Sequence, residues 1–134
     1  MAEVSRADDV ESPRLVLAAT DLMRLSRVAE GARALGYEIA IVASADEARQ
    51  ALRSGPAALL VVDLQADDLS WQDVVAAAKE ADDGPVPVLA YGQHTNSGLL
   101  REARRAGCDV VAPRSQLVEE LPTLIERARQ QSEG

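Results

Sequence analysis

The stretch Ala57-Ala58-Leu59-Leu60-Val61-Val62-Asp63-Leu64 decides the fold. Its apolar run is too short for a helix and shows no alternation of polar with apolar positions. Such a run reads as a strand buried on both faces, the condition of a central strand in a parallel sheet covered by helices. It ends in one acidic residue, Asp63, whose charge is expected to be pushed out at the strand's carboxyl edge.

The same reading repeats outward from this strand. Upstream, Leu15 to Ala19 is a second unbroken apolar run, followed by Leu22, Leu25, Val28, Ala29, Ala32 and Leu35 on one helical stripe that Asp21 can cap and Gly36 can end. Tyr37 to Ala43 is a β-branched strand, and Ser44-x-x-Glu47 is a capping box that opens a helix reaching Gly55. Downstream, a helix begins near Ser70 and carries Val74, Val75, Ala78 and Ala81. Val86 to Tyr91 is the fourth strand, with Pro85 and Pro87 at its start. The loop Gly92 to Asn96 leads into a helix with Leu99, Leu100, Ala103 and Ala106, stopped by Gly107, and Asp109 to Ala112 is a short fifth strand. Because Pro122 is excluded from a helix interior, a turn is expected over Ser115 to Glu120, with Pro122 in the first turn of the last helix. Five strand-then-helix units predict an α/β fold, a doubly wound five-stranded parallel sheet. Residues 14–130 form the single domain, residues 1–13 a flexible acidic tail and residues 131–134 a C-terminal tail.

Composition narrows the function classes. The 134 residues carry 14 basic and 22 acidic side chains, a net charge of -8 that repels phosphate backbones and anionic membranes wherever no local patch overrides it. Only 2% of residues are aromatic, which leaves no platform for stacking bases or sugars. No nucleic-acid partner and no membrane are therefore expected. The single cysteine, Cys108, forms no internal disulfide and reads as a small buried filler; with one histidine it makes no structural zinc site. The start of the chain has no apolar signal region, so a cytoplasmic location is expected.

In an open parallel sheet, chemistry gathers at the carboxyl ends of the strands where the strand order reverses, here between the first and third strands. Thr20 and Asp21, Asp63 with Gln65, Asp67 and Asp68, Gly92 and His94, and Pro113 and Arg114 are the sheet-edge candidates. Asp21 doubles as the natural cap of its helix, and His94 either binds an anion or is a solvated loop residue. Asp63 is expected to pair with the planar guanidinium of Arg114. Asp67, Asp68 and Asp73 read as a solvated loop and helix start. Trp71 is either a half-buried staple or an exposed anchor. Arg101, Arg104 and Arg105 form the only basic cluster local in sequence, a candidate partner surface.

The single acid ending Leu60-Val61-Val62-Asp63-Leu64 resembles the phosphoacceptor position of bacterial response-regulator receiver domains. Gly107-Cys108-Asp109-Val110-Val111-Ala112-Pro113-Arg114 is similar to that family's approach to its invariant lysine, a place held here by Arg114. The resemblance covers roughly Arg14 to Arg129 and implies a flavodoxin-like, receiver-like (βα)5 sheet with strand order 2-1-3-4-5. It also brings departures. Ala19 and Thr20 stand where receivers carry the acidic pair that binds Mg²⁺ with the phosphoacceptor, and Gly92 stands at the switch hydroxyl. The switch aromatic falls near Val111, and Ser115 replaces a usual proline.

Phosphoryl transfer to a carboxylate needs a metal to neutralise oxygens and a cation to take developing charge, and Arg114 supplies only the second. The expected function is that of a non-enzymatic pseudo-receiver, a signalling or scaffolding module acting through a signalling protein partner, a kinase or output protein, or through a homodimer. No cofactor is expected. The alternatives are an atypical phosphoacceptor that binds Mg²⁺ through Asp21 and Asp63, and a small-anion or nucleotide sensor in a crevice lined by Thr20, Gly92, His94 and Arg114. No glycine-rich phosphate loop and no G-x-S-x-G elbow accompany these residues.

Overall fold

The computed structural model describes residues 13–82 and 84–133. The N-terminal tail expected over 1–13 therefore lies outside the described residues except for Pro13. The strands are β1 (Arg14–Ala18), β2 (Glu38–Val42), β3 (Leu59–Asp63), β4 (Val88–Gly92) and β5 (Val110–Pro113). The helices are α1 (Leu22–Ala34), α2 (Ala45–Arg53), α3 (Trp71–Lys79), α4 (Ser97–Arg105), α5 (Arg114–Glu119) and α6 (Leu121–Glu133). All strands pair in parallel in one five-stranded sheet of order β2-β1-β3-β4-β5, as expected.

Alternation within the unbroken apolar runs divides the core between two layers. Leu15, Leu17, Leu59, Val61, Leu89 and Tyr91 face the side packed by α1, α5 and α6, while Val16, Leu60, Val62, Val88 and Ala90 face the side packed by α2, α3 and α4. Every residue of β3 is buried, which is why its sequence carries no polar alternation. The expected helix signals also operate. Asp21 accepts from the Met23 and Arg24 N–H groups at 3.0 and 3.2 Å. Ser44 accepts from the Glu47 N–H at 3.1 Å, and Glu47 accepts from the Ala43 N–H at 2.8 Å, one residue before the cap. Gly36 and Gly107 end α1 and α4 at φ 96° and 104°, a region that costs a side-chain-bearing residue dearly.

Two expectations need correction. The turn over Ser115 to Glu120 is instead the six-residue helix α5, anchored by a fully buried Leu117. Pro113 precedes it in extended conformation, and Pro122 still falls in the first turn of α6, so neither ring interrupts a helix. The last helix also continues through 131–133, where a tail was expected. Trp71 is a buried staple at the start of α3.

At the amino end of the sheet, Lys79 Nζ lies 3.0 Å from Asp109 Oδ2, and the same oxygen accepts from the Val88 N–H at 2.8 Å. This knot fixes the entry to β4 and β5. Beside it Cys108 is buried, and burial pushes its thiol up to about 12, opposed by Lys79 and reinforced more weakly by Asp109. A thiol raised in the folded state contributes stability that is full below its unfolded value near 9 and is lost as pH rises towards 12. Denaturant titrations are therefore expected to show stability falling above pH 9, by no more than about 1.4 kcal/mol per pH unit from this group. Cys108→Ala should flatten that part of the slope.

Candidate functional site

The carboxyl edge of the sheet gathers the ends of β1, β3, β4 and β5, and its centre is Asp63. The carboxylate is only 1% exposed, not pushed out into solvent as its position at a strand end suggested. A buried carboxylate needs a cation and hydrogen-bond donors, since an uncompensated charge there costs several kcal/mol. Arg24 supplies the cation, with Nη2 donating to Asp63 Oδ2 at 3.3 Å, and the Gln65 N–H donates to Oδ1 at 2.9 Å. Arg24 also reaches Asp21, Nη1 to Oδ2 at 3.5 Å. One guanidinium thus holds both acidic candidates.

The expected pairing of Asp63 with Arg114 does not occur; the partner is Arg24. Arg24 stands in the first turn after β1, which hydrogen-bonds directly to β3, whereas Arg114 follows β5, two strands away across the sheet.

Behind this pair lies Tyr91, fully buried, whose hydroxyl has no hydrogen-bond partner among the described residues. Arg24 Nε is likewise buried and unpartnered. Burial first, then Asp63 and more weakly Asp21, push the phenol well above its ordinary value, opposed by Arg24 and Arg114. All four charged groups therefore act on one buried hydroxyl.

A second arrangement links the loops. Gln65 Oε1 accepts from the Gln93 N–H, joining the β3–α3 and β4–α4 loops. The amide crosses directly above Gly92, where an added Cβ would sit 3.2 Å from Gln65 Oε1. Glycine is what lets the side chain pass. Gly92 is thus a buried bridge support, and Thr20 lies half-buried outside the neighbouring cleft.

That cleft, of about 650 Å³, opens between α1, the β4–α4 loop and α5, and Arg24, Arg27, His94, Arg114, Met23 and Val118 are among its lining residues. The structure brings His94 and Arg114 together there but leaves Thr20, Asp21 and Gly92 out of its lining, so the crevice differs from the one expected. Arg101, Arg104 and Arg105 are exposed on α4 and do not line it. Arg24, Arg27 and Tyr91 were not among the sequence candidates, whereas Gln65 was placed with Asp63 at the end of the third strand. A signal for the first two was present: with Asp21 they form a polar i, i+3, i+6 row along α1, beside exposed Leu22 and Met23.

No family model matches the sequence, and no curated protein matches it. Solved structures do. The receiver domain of a sensor histidine kinase from Pseudomonas aeruginosa PAO1, with a magnesium ion in its active-site cleft, is 18% identical, with 89% of this chain and 98% of that one covered at a TM-score of 0.76. A signal receiver domain of an HD domain-containing protein from Pseudomonas fluorescens Pf-5 is 16% identical, covering 99% and 94% at a TM-score of 0.77. A response regulator receiver domain protein from Clostridium thermocellum is 14% identical, covering 90% and 97% at a TM-score of 0.75.

Two stability measurements check the edge. Tyr91→Phe removes a buried hydroxyl that satisfies nothing and should be neutral or stabilising by up to about 1 kcal/mol, a loss of more than that revealing an unseen partner. A urea double-mutant cycle of Arg24→Met with Asp63→Asn should give a coupling of about 1 kcal/mol or more, and additive single effects would dissolve the pair. With its 2-1-3-4-5 parallel sheet and its likeness to these structures along nearly its whole length, the chain has the fold of response-regulator receiver domains.

Proposed function

We propose that the protein is a non-enzymatic pseudo-receiver, a signalling or scaffolding module that works by recognising a protein partner and takes no phosphoryl group on Asp63. The observation that carries this reading is the Arg24 guanidinium 3.3 Å from Asp63 Oδ2. A metal-assisted transfer needs the carboxylate free to share a divalent cation with neighbouring acids. Here Ala19 and Thr20 offer no carboxylate, Asp21 accepts two helix N–H groups, and Arg24 places a fixed positive charge against Asp63. The residues do not fit Mg²⁺. The position that could report a phosphoryl oxygen is Gly92, beneath the Gln65 amide.

A domain of this kind acts through its surface. The exposed face of α4 presents Arg101, Arg104 and Arg105 and suits an acidic segment of a signalling partner, or a second copy of this acidic chain. Among the described residues no helix is long and apolar enough to cross a membrane.

The test is an amide NMR titration with Mg²⁺ and then a small-molecule phosphodonor, ending in intact mass, with Asp63→Asn as control. Amides around Asp21 and Asp63 should stay in place at millimolar Mg²⁺, and no mass should be added. Local shifts together with one phosphoryl adduct that disappears in Asp63→Asn would overturn the reading. Arg24→Ala, which releases both carboxylates, should bind Mg²⁺ more tightly than the parent chain.

A further inference from the structure

We infer that the cleft between α1, the β4–α4 loop and α5 is a reversible binding site for a small soluble phosphomonoester. A volume of about 650 Å³ falls within the ~300–1,000 Å³ of small-molecule sites. Its charge runs against the whole chain. In a protein of net charge -8, three arginines from two separate helices converge on one concavity. Arg24 is occupied by Asp63 and Asp21, but among the described residues Arg27 and Arg114 make no ion pair. Glu119 is the one acidic residue in the lining, so the two guanidiniums outnumber it.

The remaining groups suit a tetrahedral dianion with an organic part. His94 and the hydroxyls of Thr95 and Ser115 stand on the same lining as donors. Two guanidiniums give charge-assisted, bidentate hydrogen bonds that a phosphate satisfies and a neutral sugar or amide does not. Met23, 84% exposed, and Val118, 38% exposed, supply an apolar wall for whatever the phosphate is attached to.

Binding here is noncovalent, and a chain that did accept phosphate on Asp63 could still have this site, so it stands apart from the reading above. The protein is titrated by amide NMR with inorganic phosphate, adenosine 5′-monophosphate and adenosine. The monophosphate should move the amides of Arg27, His94, Thr95 and Arg114 and saturate at lower concentration than inorganic phosphate, while adenosine moves none and intact mass stays unchanged. The exposed Arg27→Ala combined with Arg114→Ala should weaken binding roughly tenfold or more with the melting temperature retained, and Glu119→Gln should tighten it. The assignment falls if no shifts appear at millimolar monophosphate, if the double variant binds as the parent does, or if adenosine binds equally well. Inorganic phosphate binding as tightly as the ester would remove the organic part from it.

Discussion

A carboxylate with 1% exposure must be neutralised where it stands, and this requirement organises the carboxyl edge of the sheet. Asp63 cannot leave, because it closes a strand every residue of which is buried. The Arg24 guanidinium therefore comes to it, and Arg24 is placed by the first turn of α1, which Asp21 caps. Helix start, salt bridge and strand end form one unit that spans 39 positions of sequence. Loss of Arg24 would leave a buried charge, whereas loss of Asp63 would free a cation that remains 29% exposed, so the two sides of the pair are not equally costly to remove.

The two ends of the sheet solve their electrostatics differently. At the amino end Lys79 meets Asp109, which also holds the Val88 N–H, and both groups are used up in joining strands. At the carboxyl end Arg27 and Arg114 make no ion pair among the described residues, and both line an open concavity. One end is closed structure and the other keeps unused donors. Guanidiniums left without carboxylate partners offer a small anion direct hydrogen bonds, while the net charge of -8 repels polyanions.

Most of the architecture was legible in the residues. Unbroken apolar runs located β1 and β3, and Asp21, Ser44, Gly36 and Gly107 marked helix boundaries because caps and positive-φ glycines act through immediate neighbours. The helix α5 was not legible, since Pro122 suggested a longer interruption than one residue and the anchoring of Leu117 is tertiary. The place of Asp63 at the sheet edge could be read from its strand, but neither its burial nor its partner could. Arg114 carries the better credentials by resemblance, whereas the contact of Arg24 with Asp63 joins residues 39 positions apart and is visible only in the folded chain. The convergence of Arg24, Arg27 and Arg114 was hidden for a similar reason, because no stretch of chain contains all three.

The Gln65 amide that passes over Gly92 to the Gln93 N–H carries no net charge. Its strength is set by distance and angle, so neither ionic strength nor the protonation of any side chain acts on it directly. The arginines of the adjoining cleft obey the opposite rule, since their pull on a solvated anion fades with the Debye length. The loops at this edge are thus held in a salt-indifferent frame beside a salt-sensitive mouth, and a change of medium retunes what the edge attracts without reshaping it.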